Sequence, residues 1–118
     1  MSSLNTFGAI LTYAIEQEAR LAEYYKNAGN TDQVSAADKR RGKLERARSL
    51  YVLEITLEPI EGLDEANYAL NLADTSASGQ KAVANIAARF YAEVAPRINV
   101  RDAQRILEKC GKEYVALG

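Results

Sequence analysis

Apolar side chains recur along this chain in alternating steps of three and four, the spacing that lines one face of an α-helix. The first such row is Leu4, Phe7, Leu11, Ala14, Glu18, Leu21, Tyr25 and Ala28, and Glu18 is its one charged member. Glu16, Arg20 and Glu23 form a polar face outside it. Gly29 and Asn30 predict the helix end, with Thr31 or Asp32 capping a second helix from about Gln33 to Glu58 that stops at Pro59. Its first half is basic (Lys39, Arg40, Arg41, Lys43, Arg46, Arg48). Its second half carries the apolar row Leu50, Leu53, Leu57 and Ile60, with Val52 and Ile55 beside it. Gly42 in its middle predicts a bend or a close helix contact.

Pro59, Gly62 and Asp64 interrupt the pattern, and Asp64 predicts the cap of a short helix reaching about Ala73. The polar run Asp74–Gly79 reads as a loop ending in capping residues. A third helix is expected from about Gln80 to Arg97, with Val83, Ala84, Ala87, Phe90, Tyr91, Val94 and Ile98 on its apolar face. Asn99 is expected to cap a fourth, with Ala103, Ile106, Leu107, Cys110, Tyr114 and Leu117 facing inward. Short links make helices one and two, and three and four, antiparallel; a crossover of roughly 20 residues docks the pairs side by side as an all-α four-helix bundle with a short crossover helix. A shift of 66 residues lays Ala22–Tyr25 over Ala88–Tyr91, a faint echo between the two hairpins. The 118 residues form a single domain, 1–118, long enough to bury a core.

Composition narrows the chemistry. Twenty alanines favour helix, and 15 basic against 16 acidic residues give a net charge of −1 that offers no strong pull on nucleic acid or acidic membranes. There is no histidine, the commonest metal ligand and the usual general base near neutral pH. The lone Cys110 cannot form an internal disulfide, and it reads as a small buried side chain rather than a nucleophile. Met1–Thr6 lacks a secretory pattern and no apolar run reaches the roughly 18 to 20 residues of a membrane span, so a cytoplasmic protein with no membrane partner is expected.

The stretch Tyr13–Tyr25, with an inward Glu18 seven residues before an inward Tyr25, resembles the first helix of rubrerythrins and other ferritin-like proteins. The resemblance implies a ferritin-like up-down bundle, whose di-iron site takes a Glu from each of two helices and a Glu-x-x-His from each of the other two. Glu18 matches the first ligand. The second-helix match is Glu45-Arg46-Ala47-Arg48, with arginine in the histidine position. Ala84 stands seven residues before Tyr91 where the third helix should supply Glu. The fourth helix offers only Asp102-x-x-Arg105 and Glu108-x-x-Gly111. If any metal binds, Glu18 and Glu45 are the residues left to hold it; no cofactor is expected.

Antiparallel pairing places Glu18 level with roughly Lys43 to Glu45, and Arg41 and Arg48 continue the row Val34, Ala37, Leu44, Tyr51, Ile55. A buried carboxylate needs a partner, and arginine can supply one bidentately. Glu18 is therefore expected to pair with Arg48 or Arg41, giving an interior polar site of Glu18, Tyr25, Arg41, Glu45 and Arg48. The pair could serve as a structural replacement for metal, which is the expectation, or as a positive site for an anionic ligand. The basic run Lys39–Arg48 reads as a solvated face, and Tyr25, Tyr51, Tyr91 and Tyr114 as core rings. Glu54 and Glu58, with Glu61, Asp64 and Glu65, could gather a hard cation at one bundle end. Apolar residues beyond the first row (Ile10, Tyr13, Ile15, Tyr24) must be covered by the crossover or by a second subunit, which predicts a homodimer. The functional expectation is a metal-free, non-enzymatic bundle that oligomerises or binds a protein partner. The alternative is a metal-binding oxidoreductase or iron-handling protein of rubrerythrin type with a depleted carboxylate site.

Overall fold

The computed structural model describes residues 4, 6–51 and 62–118, with Tyr51 described through its backbone alone. Among these residues every regular element is helical. Four α-helices, α1 (Phe7–Asn27), α2 (Thr31–Tyr51), α3 (Ala77–Val94) and α4 (Arg101–Leu117), are joined by 3₁₀ turns at Glu65–Tyr68 and Ala95–Arg97. No helix among the described residues is long and apolar enough to cross a membrane.

The apolar row of α1 is buried from Leu4 through Tyr25, and a second row one residue earlier, Ile10, Gln17 and Tyr24, is buried beside it. The Thr6 hydroxyl opens α1 by accepting the amide of Ala9. Its end is a Schellman turn: Gly29 adopts φ +74°, Gly29 N donates to Lys26 O at 3.1 Å, and Asn30 N donates to Tyr25 O at 2.9 Å. Asn30 then caps α2 itself, its side-chain oxygen accepting the Gln33 amide, so the expected caps Thr31 and Asp32 already lie within the helix. One residue thus ends one helix and starts the next, which leaves a link too short to slip and fixes the register between them.

α1 and α2 form one hairpin and α3 and α4 the other, with further packing between α2 and α4. The α1–α2 turn meets the start of α3, where Asn30 Nδ2 donates to Gln80 Oε1, and the end of α4, where Leu117 shares a cleft with Tyr25 and Asn30. The helices therefore run up, down, down and up, and the connection from α2 to α3 must climb the whole bundle. Its described part, from Gly62 on, is tied to α3 and then to α1: the Tyr68 hydroxyl donates to Glu93, and farther up the Tyr24 hydroxyl donates to the Asp74 carbonyl at 2.6 Å. The short helix expected between Asp64 and Ala73 is a single 3₁₀ turn, capped by Asp64. A helix gains only about 1.5 Å per residue against roughly 3.3 Å for extended chain, so the climb favours extended backbone above Tyr68.

α3 starts at Ala77, capped by the Ser76 hydroxyl on Gly79 N. A side chain at Gly79 would collide with Asp74. It ends at Val94, two residues before Pro96, and a 3₁₀ turn completes the segment expected to be helical through Arg97. The cap of α4 is Val100, without a side-chain bond, rather than Asn99; Gln104 instead ties the turn by donating to the Ala95 carbonyl. Gly42 has no neighbour within 4 Å of a would-be side chain, so it marks no close contact. The predicted end of α2 near Pro59, the row Leu53, Leu57 and Ile60, and the carboxylates Glu54, Glu58 and Glu61 lie outside the described residues.

Candidate functional site

Halfway along the bundle each helix contributes one polar side chain to a common point. Glu18 of α1 is fully buried, and its carboxylate is saturated by donors from the other three helices. Oε1 accepts from Arg40 Nε of α2 at 2.8 Å and from the Tyr114 hydroxyl of α4 at 2.7 Å. Oε2 accepts from the Tyr91 hydroxyl of α3 at 2.5 Å. Arg40 is 2% exposed; its guanidinium carbon lies 4.2 Å from the centre of the Tyr114 ring, and Nη1 donates to Glu113 at 2.9 Å. Tyr91 and Tyr114 stack with centroids 6.0 Å apart. Two ionised groups are thus removed from water together, with directed hydrogen bonds on both carboxylate oxygens and a ring face under the cation, the conditions under which burying an ion pair is tolerable.

The pairing corrects the expected register. Arg40 holds Glu18, while Arg41 and Arg48 point outward: Arg41 is half exposed and makes a 3.6 Å helical contact with the exposed Glu45, and Arg48 and Glu45 line a shallow surface groove with Ile15 and Glu16. Of the five residues proposed for the interior, Glu18 and Tyr25 are inside and Arg41, Glu45 and Arg48 are not. The inward row of α2 is Ala37, Arg40, Leu44, Ala47, with Gln33 half-buried one turn earlier. It shares Ala37 and Leu44 with the expected row and takes the preceding residue at the other two positions, Arg40 for Arg41 and Ala47 for Arg48. The physical reason is charge economy. The expected site would bury four charged groups, Glu18, Arg41, Glu45 and Arg48; the observed row buries one guanidinium against Glu18 and sets Ala47 against its neighbours.

Arg40, Tyr91, Tyr114 and Glu113 as partners of this site were not anticipated. A signal for the first existed: Ala37-Arg40-Leu44-Ala47 alternates steps of three and four, and Ala47 is apolar where Arg48 is not.

Burial sets the protonation chemistry. The hydroxyls of Tyr91 and Tyr114 are raised well above the ordinary phenol range, by desolvation first and by the Glu18 charge second. Burial likewise pushes Tyr25 up to about 12, and Cys110 up to about 12. For Arg40, desolvation opposes the charge, but Tyr114, Glu18 and Glu113 outweigh it and raise the pKa. The phenols and the thiol are therefore neutral near pH 7, where they can donate hydrogen bonds but cannot act as bases or nucleophiles.

A di-iron ligand set does not fit these residues. The carboxylate it would use on α1 already has three donors, one of them a guanidinium, and Ala84 on α3 is buried with no ligating atom. Among the described residues no group of three or more His, Cys, Asp or Glu side chains could hold a metal ion. Comparison with protein-family models, with curated proteins and with solved structures finds no match for this chain.

Tyr13 packs on Phe90 at 5.0 Å, Ile10 is fully buried, and Tyr24 is tied to the crossover. The crossover and the bundle core therefore cover most of the apolar surplus of α1. The large apolar side chains left exposed among the described residues are Leu50 and Val115, at 56% and 67%.

Proposed function

We propose that this chain is a ferritin-like bundle whose metal centre has been replaced by an ion pair, and that it acts without metal or catalysis as an oligomerising or partner-binding module, a cytoplasmic homodimer in its simplest form. The observation that carries this reading is the Arg40–Glu18 contact, with Tyr91 and Tyr114 on the same carboxylate. One residue from each helix meets at mid-bundle, the place where bundles of this kind build metal sites, and a fixed positive charge already fills it. The single long crossover between two hairpins supports the ferritin-like assignment, and exposed Leu50 supplies an apolar contact point. The alternative, an oxidoreductase or iron-handling protein of rubrerythrin type, would need Glu18 and Glu45 on one cavity, whereas Glu45 lies on the outer face beside Arg41.

Sedimentation at micromolar concentration tests the assembly: the expected species has about twice the 13.0 kDa chain mass, and Leu50→Glu shifts it toward monomer. A lone 13.0 kDa species removes the dimer. An iron(II) oxidation assay tests the rest, with oxidation no faster than in buffer expected and catalysed oxidation contradicting the reading.

A further inference from the structure

On the far side of Arg40 from Glu18 the surface opens into a cleft of about 420 Å³ between α2 and α4, lined by Asp32, Ser35, Lys39, Arg40, Lys43 and Glu113. Its volume falls in the range of small-molecule sites. Arg40 forms part of its wall while remaining 98% buried by its neighbours, being only 2% exposed. Its Nη1 is bonded to Glu113, which lines the same cleft, but Nη2, on the same guanidinium carbon, has no hydrogen-bond partner among the described residues. A buried donor left without an acceptor is costly, and a charged one more so.

Above it, Lys39 and Lys43 are one helical turn apart. Neither has a carboxylate within 4.0 Å among the described residues, so they repel across the turn. We infer that this cleft binds the phosphate group of a small phosphomonoester, with Lys39 and Lys43 at the rim, the Ser35 hydroxyl on the wall and the Arg40 guanidinium behind it. A doubly charged tetrahedral group offers oxygens to several such donors at once, as a single carboxylate does not. The volume leaves room for an organic portion beyond the phosphate. Two carboxylates oppose the anion: Glu113 competes for the guanidinium and Asp32 repels at the rim. This gives the site a signature of opposite signs. Removing the lysines weakens binding, and neutralising Glu113 strengthens it.

The experiment is calorimetric titration of the full chain with inorganic phosphate, ribose phosphate and chloride at matched ionic strength. Ribose phosphate is expected to bind more tightly than inorganic phosphate, and chloride not to compete. The double variant Lys39→Gln/Lys43→Gln, confined to exposed side chains, should lose about tenfold or more in affinity, while Glu113→Gln gains several-fold. Arg101→Gln, the loss of one exposed charge at the start of α4 and away from the cleft, should change nothing. Tighter binding of inorganic phosphate than of the ester overturns the organic portion. Equal response to chloride, or the same loss in Arg101→Gln as in the double variant, overturns the site itself.

Discussion

Arg40 Nε donates to Glu18 Oε1 at 2.8 Å in the fully enclosed middle of the bundle, and the rest of the polar interior is arranged around that contact. The carboxylate binds all four helices together through one guanidinium and two phenols.

Removing one partner should therefore be severe. Glu18→Gln leaves a buried guanidinium against an amide and is expected to destabilise the fold by about 3 kcal/mol. Replacing the whole cluster with apolar groups, Glu18→Met and Arg40→Met with Tyr91→Phe and Tyr114→Phe, should recover most of that loss, since no polar group is then stranded. Chemical denaturation of the two variants checks both signs. Failure of the fourfold variant to regain stability would mean that the cluster contributes more than mutual satisfaction.

Alkaline pH should unfold the protein through the buried phenols and thiol. Their folded pKa values lie above the unfolded ones, so the folded state keeps protons that the unfolded chain releases, and stability is lost as pH rises. Stability is expected to be unchanged by these groups below about pH 8 and to fall as pH rises through the ordinary thiol and phenol range, the share of Tyr25 and Cys110 being fully lost near their raised value of about 12, with Tyr91 and Tyr114 titrating only on unfolding. Tyrosinate absorbance followed together with circular dichroism checks it: two of the phenols should ionise in step with loss of helix. At pH 8 the Cys110 thiol should resist a disulfide reagent in the native protein and react when unfolded.

Two glycines should respond oppositely to alanine. Gly42 is exposed with no neighbour within 4 Å, so Gly42→Ala should stabilise by about 0.5 to 1 kcal/mol through helix propensity. Gly111 is buried where a new methyl would stand 3.0 Å from Tyr91 Cβ. Gly111→Ala should push α3 from α4, disturb the Tyr91 hydroxyl on Glu18 and cost about 1 to 2 kcal/mol net of propensity. Thermal melts of the two variants separate these effects.

The helices were legible because their inward rows are almost wholly apolar. The row of α3 through Val83, Ala84, Ala87, Phe90, Tyr91 and Val94 was readable residue by residue, as were Ala103, Leu107, Cys110 and Tyr114 of α4. The same periodicity misplaced the cation of α2. That helix has a weak apolar stripe, with alanines and basic residues competing for each inward position, and steps of three and four fit two rows that differ by one residue at alternate places. What decided between them was a long-range fact, the level of Glu18, which the turn at Ala28–Asn30 sets through Asn30 serving both helix ends. Glu18 could be seen as an outlier in its own row. Its phenolic partners could be seen only as core rings, because a hydroxyl's acceptor on another helix leaves no local trace. The crossover was misread as helical because Asp64 is a sound cap, and the need to climb the bundle overrode it beyond Tyr68.

The central claim is that a fixed cation occupies the level where a metal would sit. The most direct measurement is the metal content of protein purified without chelator, wild type beside Glu18→Ala. No stoichiometric iron or manganese is expected in either. One or more bound metal ions per chain in the wild type, lost in Glu18→Ala, would contradict it.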